Sequence, residues 1–175
     1  MRRILIIFVA IMATSAAIGQ ARDEASDEAA VRDVIAGLVN AWTAGDGKRW
    51  AAAFVDDADF VVWFGLSLTG REEIAWGHNL IFEKFYANTT FQMDVKKVRF
   101  LGRDVAIVHL EGSVIRKGET LPEVPDAVPL AVMNWTKEGW RIVAFQNTPY
   151  VVDEFRANGD LKRFKKLVAG QVDKQ

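Results

Sequence analysis

His78 and His109 are the only side chains of this 175-residue chain whose ordinary charge change falls near neutral pH, because cysteine is absent. His78 lies at helical spacing with Ile74, Ile81, Phe82 and Phe85, so it belongs to an apolar helix face turned inward. There an imidazole can serve as a general base or as a hydrogen-bond donor to a bound molecule. The competing role is a neutral packing residue satisfied by a backbone carbonyl.

His109 sits in the middle of a strand pattern, and period-two alternation puts it on one face with Ile107 and Glu111. His109 and Glu111 could form an acid and base couple, but such a pair is more often a surface ion pair on the outer face of a sheet. Two histidines without a third close ligand do not make a metal site, so no metal is expected. Asp59 opens a strand beside Asp56 and Asp57, where an acid is usually a turn or cap residue. Gln146 and Asn147 end an apolar strand, and alternation sends one amide inward. A buried amide needs a partner, either a neighbouring strand or a ligand.

Six tryptophans and eleven phenylalanines supply material for an apolar wall. Phe60, Phe64, Phe82, Phe85, Trp135 and Phe145 are the candidates, although aromatic residues at such spacing also build ordinary cores.

The elements that must position these groups follow from periodicity. Ser26, with Asp27 and Glu28 behind it, predicts an N-cap, and Val31, Val34, Ile35, Leu38, Val39 and Trp42 predict one apolar helix stripe. Gly45-Asp46-Gly47 ends that helix, and Lys48 to Phe54 reads as a second, short one before a polar loop at Asp56-Asp57. Asp59 to Phe64 predicts a strand buried on both faces, with Leu66 to Thr69 as a short hairpin partner. A third helix starts at Thr69-Gly70 and carries His78. Strands follow over Thr90 to Leu101, Val105 to Arg116, Pro129 to Lys137 and Trp140 to Val151. Pro122, Pro125 and Pro129 make Lys117 to Val128 a long loop, and Asp153 to about Ala169 reads as a basic amphipathic helix. Helices first and antiparallel strands afterwards describe an α+β domain.

At the other end, Arg2 and Arg3 precede an apolar run from Ile4 to about Met12 and then small residues. That is the pattern of a signal peptide over 1–19, with cleavage after Gly19 or as late as Ala21. The run is shorter than the roughly 20 residues of a spanning helix. The expectation is a periplasmic or secreted protein with a single domain over 26–170 and no membrane contact after cleavage. The mature chain would hold 20 basic and 23 acidic residues, a charge of −3 that gives no general attraction to nucleic acid. No glycine-rich phosphate loop, GxSxG elbow, HExxH pair or cysteine nucleophile occurs, which removes those reaction classes.

The run Asn40-Ala41-Trp42 with Ala44-Gly45-Asp46, Phe54 to Phe60, Gly70-Arg71 with Ile74, and Gly77-His78 resembles the SnoaL-like group of the nuclear transport factor 2-like superfamily. So do Val105-Ala106 with Val108-His109, and Trp140-Arg141-Ile142 through Ala144-Phe145-Gln146-Asn147-Thr148. The resemblance spans about Glu28 to Thr148 and is narrower towards SgcJ/EcaC-type proteins. It implies a strongly curved antiparallel sheet wrapped by about three helices into a cone, here with an added C-terminal helix, and commonly a homodimer paired through the sheets.

The superfamily contains isomerases, dehydratases, cyclases, epoxide hydrolases and binding proteins without chemistry, so the fold does not choose among them. No dinucleotide fingerprint accompanies the oxidoreductase label often given to SgcJ/EcaC-type proteins, and no cofactor is expected. Ketosteroid isomerases of the superfamily need a carboxylate base and a tyrosine donor. Alignment through Ala44-Gly45-Asp46 and Asp56-Asp57-Ala58 puts Val62 and Leu38 at those positions, and hydrocarbons perform neither role.

Two readings follow. The first is an exported protein that binds a small hydrophobic or aromatic molecule in an apolar, aromatic-lined conical pocket contacted by Phe60, Val62, Phe64, Phe82, Trp135, Gln146 and Asn147. The second is a cofactor-independent isomerase, dehydratase or hydrolase using His78 with one of the two amides.

Overall fold

The computed structural model describes residues 22–151. The expected signal peptide over 1–19 and the basic helix expected from Asp153 lie outside the described residues.

Helix α1 runs Glu24–Thr43 and is capped by Asp23 rather than by Ser26. Asp23 accepts from the Ser26 backbone N–H at 2.8 Å, and Ser26 Oγ accepts from the Asp23 N–H at 3.3 Å. This reciprocal box puts Ser26 one turn inside the helix. Val31, Ile35, Leu38 and Trp42 form the buried stripe expected of it. Its start is held down by Asp27, which accepts from Arg22 at 2.8 Å and from Trp140 Nε1 at 3.1 Å. The Arg22 guanidinium holds the Asp27 carboxyl below the usual carboxylate range.

Helix α2 spans only Gly47–Ala51, shorter than the predicted Lys48 to Phe54. It stops because the next backbone groups belong to the sheet: Ile142 N–H donates to Ala53 O at 2.9 Å, and Phe54 pairs with Ile142. Strand β1 therefore runs Phe54–Val61 and contains Asp56 and Asp57, which were expected in a loop. Both acids are exposed where the β1 register shifts between Phe54 and Asp59. A bulge tolerates polar residues that a continuous buried ladder would not. Only Phe54, Ala58 and Phe60 of β1 are buried, so the strand is one-sided rather than covered on both faces.

Strand β2, Ser67–Thr69, returns antiparallel to β1 around Gly65, whose φ of 92° suits glycine. Trp63 and Phe64 stand on this turn, 55% and 65% exposed. Helix α3 follows as Gly70–Lys84, and then β3 Thr90–Phe100, β4 Val105–Ile115, β5 Leu130–Thr136 and β6 Gly139–Gln146. The sheet order is β2-β1-β6-β5-β4-β3. Every neighbouring pair is antiparallel except β1 with β6, which is parallel. The parallel pair arises because α3 and the β3–β5 meander separate the two strands in sequence.

Further register shifts at Val95/Lys97 and Val132/Met133 bend this α+β sheet into the cone that the three helices wrap. The proline-bearing loop after β4 joins the sheet through isolated bridges of Ala127 to Gly112 and Pro149 and through Asp126 Oδ2, which accepts from the Val114 N–H at 2.9 Å. Ala106, Val108 and Leu110 of β4 alternate inward, and Met133, Trp140, Ile142 and Phe145 are buried in the same core.

Candidate functional site

Gly47 decides where the aromatic residues of the helices meet. A Cβ there would lie 2.5 Å from Ala75 O and 2.7 Å from Asn79 N, so only glycine lets α2 come this close to α3. Its N–H donates to Asn79 Oδ1 at 2.9 Å, which locks the contact. One turn later Trp50 lands on His78.

The two rings are stacked, with centroids 4.6 Å apart and planes at 23°. Phe60 meets His78 edge-on at 5.2 Å, and Phe145 stacks on Phe60 at 5.1 Å. On the other side Phe82 is 6.1 Å from His78 and 5.1 Å from Trp42, which also touches Trp50, Tyr86 and Phe91. His78 is thus one link in an unbroken chain of rings running from Phe145 to Tyr86.

His78 Nδ1 is 2.8 Å from Ile74 O. A carbonyl oxygen can only accept, so Nδ1 carries the hydrogen. Burial pushes the imidazole down to about 4, and at neutral pH the ring is uncharged. Its remaining nitrogen, Nε2, is then an acceptor with no hydrogen-bond partner among the described residues; in this tautomer it does not donate. Trp50 Nε1 is buried and likewise without a partner.

A cavity of about 380 Å³ opens where α1 and α3 end. Trp42, Phe82 and Tyr86 give it an aromatic wall, and Asn79, Glu83, Asn88 and Thr89 give it polar edges. Trp42 Nε1 donates to Thr89 Oγ1 at 2.9 Å, and Thr89 Oγ1 donates to Tyr86 O at 2.8 Å, so these groups are mutually satisfied. Two helix C-termini and Glu83 make the rim partially negative, which disfavours an anionic ligand.

The residues singled out in the sequence separate into groups. His78, Phe60, Phe82 and Phe145 come together in the ring chain. Val62 is half-buried at the β1–β2 turn, where its N–H donates to Leu66 O at 2.7 Å. Phe64 and Phe85, the latter 70% exposed, face solvent. Trp135 stands beside Trp140 on the last turn of the sheet, and the Arg22 guanidinium lies 3.7 Å over its ring. It is therefore occupied by the N-terminal clamp. Gln146 is exposed, while Asn147 is the inward amide: its Oδ1 is buried without a partner and its N–H donates to Val61 O at 2.9 Å.

His109 is exposed, and Glu111 pairs with Lys96 at 2.9 Å instead of with the histidine. Asp59 is exposed on β1 opposite Thr69. Among the described residues no three His, Cys, Asp or Glu side chains converge as metal ligands. Trp42, expected only as part of the α1 stripe, and Trp50, not singled out from the sequence, carry more of this site than expected.

No protein family's sequence model matches the chain, and no curated protein matches it. Among solved structures it is similar to a domain of unknown function with a cystatin-like fold from Nostoc punctiforme, at 30% identity and a TM-score of 0.68, covering 87% of this chain and 99% of that one. It is also similar to a putative dehydratase from the NTF2-like family from Streptomyces avermitilis, at 20% identity and TM-score 0.58, over 73% of this chain and 99% of that one. A ketosteroid isomerase-like protein from Erwinia carotovora matches at 17% identity and TM-score 0.54, over 69% of this chain and 94% of that one.

Proposed function

We propose that the chain, which shares the cystatin-like fold of a 30%-identical domain, belongs to the nuclear transport factor 2-like superfamily and is an exported protein that binds a small apolar or aromatic molecule without transforming it. Within that superfamily the motifs from Asn40 to Thr148 favour the SnoaL-like, SgcJ/EcaC-type group. The observation that carries the binding reading is the cavity at the ends of α1 and α3, whose inner wall of Trp42 and Phe82 is continuous with the rings around His78. Its size lies within the range of small-molecule sites, and its exposed lining is more polar than apolar, with the rings of Trp42, Phe82 and Tyr86 among polar edges.

Binding is favoured over catalysis by the state of His78. A general base works best with a pKa near the working pH, and burial holds this one near 4. By the alignment through Ala44-Gly45-Asp46 and Asp56-Asp57-Ala58, the resemblance puts Val62 and the fully buried Leu38 where ketosteroid isomerases need a carboxylate base and a tyrosine donor. The second reading, a cofactor-independent isomerase, dehydratase or hydrolase, draws on the unpartnered Oδ1 of Asn147 and on the fold shared with a putative dehydratase.

A homodimer through the outer sheet face is part of the proposal, since Ile107 and Val132 lie side by side there and are only half-buried. Mass spectrometry of the protein purified from its exported fraction tests the main claim: a retained apolar molecule supports it, and none across several hosts counts against it. The same spectrum shows whether the chain begins after Gly19 or Ala21. His78→Ala should weaken retention; lost turnover with binding intact would favour the enzyme reading instead.

A further inference from the structure

We propose that the outer face of α3 is the docking surface for this chain's own basic stretch, residues 161–169, which lies outside the described residues. Trp76 and Leu80 stand one turn apart on the side of α3 opposite the buried Ile74, His78 and Phe82, and they are 62% and 37% exposed. Leu66 widens this patch. A Cβ on Gly77 would lie 2.9 Å from Leu68 Cδ1, so α3 rests directly on β2. Leu66, two residues before Leu68 and on the same side of the chain, borders the helix and is 49% exposed. Single exposed apolar residues are ordinary, but a tryptophan grouped with two leucines marks a contact surface.

Acids frame the patch. Glu72 and Glu73 lie one turn before Trp76, Glu83 lies one turn after Leu80, and all three are exposed. Glu83 also holds Lys84 at 2.8 Å, and Glu73 Oε2 accepts from the Thr69 N–H at 2.8 Å. The surface therefore asks for a partner that is apolar along one stripe and basic beside it.

Residues 161–169 have that pattern. Leu161, Phe164 and Val168 recur at helical spacing, with Leu167 next to them, and the remaining positions carry Lys162, Arg163, Lys165 and Lys166 with no acid among them. Isolated helices shorter than about 12 to 15 residues are marginal in water, so this stretch needs an apolar face to pack on.

The chain also leaves the sheet on the correct side. Val61 is paired with Gln146 in the parallel β1–β6 ladder, so β6 ends where β1 turns back into Leu66 and β2. Past Val151, residues 152–160 reach roughly 30 Å when extended. From Gly70 to Leu80 the helix rises only about 15 Å. A second copy fits less well, because pairing two such faces sets Glu72, Glu73 and Glu83 against themselves. An anionic lipid surface meets the same repulsion.

Carbodiimide coupling of the full chain tests this, in a mixture of isotope-labelled and unlabelled copies. The reagent condenses a lysine amine with a touching carboxylate, forming an amide and releasing water. Mass spectrometry should find Lys162, Lys165 or Lys166 joined to Glu72, Glu73 or Glu83 within one copy. Links only between labelled and unlabelled copies put a second molecule on the face and overturn the proposal, as does the absence of any link from these lysines to α3. Hydrogen exchange supplies a second readout, since Trp76→Glu with Leu80→Glu alters only exposed positions that the fold tolerates. Amides of residues 161–169 should exchange about tenfold faster in that variant than in wild type. Equal exchange overturns the proposal, and so does protection that arises in wild type only when phosphatidylglycerol vesicles are added.

Discussion

Trp50 covers one face of His78 at 4.6 Å while Ile74 O takes the Nδ1 hydrogen at 2.8 Å, so the imidazole is held neutral by its neighbours. Protonating it would put a charge among Trp50, Phe60 and Phe82 with no anion beside it.

Stability should therefore depend on pH through His78. Its pKa falls from the ordinary 6.5 to about 4 on folding, so between those values the unfolded chain binds more protons and stability rises with pH. The contribution is complete above pH 6.5 and is lost as pH falls to 4, roughly 3 kcal/mol in all. Urea midpoints at both pH values check this: wild type should lose that much more than His78→Leu, and parallel losses would refute it.

Thr89 has a structural duty at the cavity. Thr89→Val leaves the buried Trp42 Nε1–H without its acceptor and should cost about 2 kcal/mol. Thr89→Ser keeps the oxygen and should cost about 0.5 kcal/mol, with equilibrium unfolding as the measurement.

Gly47 tolerates no side chain. In Gly47→Ala the new methyl meets α3 backbone at 2.5 and 2.7 Å, which cannot yield as a flexible side chain would. A loss of about 3 kcal/mol in chemical denaturation is expected, and an unchanged midpoint would mean that α2 and α3 do not pack this way.

Two phenylalanines four residues apart should behave oppositely. Phe60→Ala empties a place between Phe54, His78 and Phe145 and should cost about 3 to 5 kcal/mol. Phe64→Ser changes an exposed turn residue and should stay within about 0.5 kcal/mol in the same assay.

Much of the architecture was legible in the sequence because it depends on local periodicity. The stripe from Val31 to Trp42, the start of α3 at Thr69-Gly70 and the strands β3 to β6 lie within one or two residues of their expected places, apart from the later end predicted for the last strand. The short segments were harder to read. Phe54 fits the end of a helix as well as the start of a strand, and Asp56-Asp57 looks like a loop until β6 pairs alongside it. The candidate wall was legible only in part, because an aromatic residue in a strand pattern does not reveal which end of the cone it will occupy: Phe60 went to the interior, Phe64 to solvent and Trp135 under Arg22.

The sequence by itself determined the order of the elements, the α+β class and the apolar helix face that carries His78, since each rests on spacing within a few residues. Tertiary structure alone decided that Trp50 would lie on His78, that α1 and α3 would end around one cavity, and that β1 would run parallel to β6. The physical reason is that these outcomes depend on close approach between segments far apart in the chain, such as Gly47 against Ala75 and Asn79. Local hydrophobic patterns say which face of an element is buried, and only packing says against what.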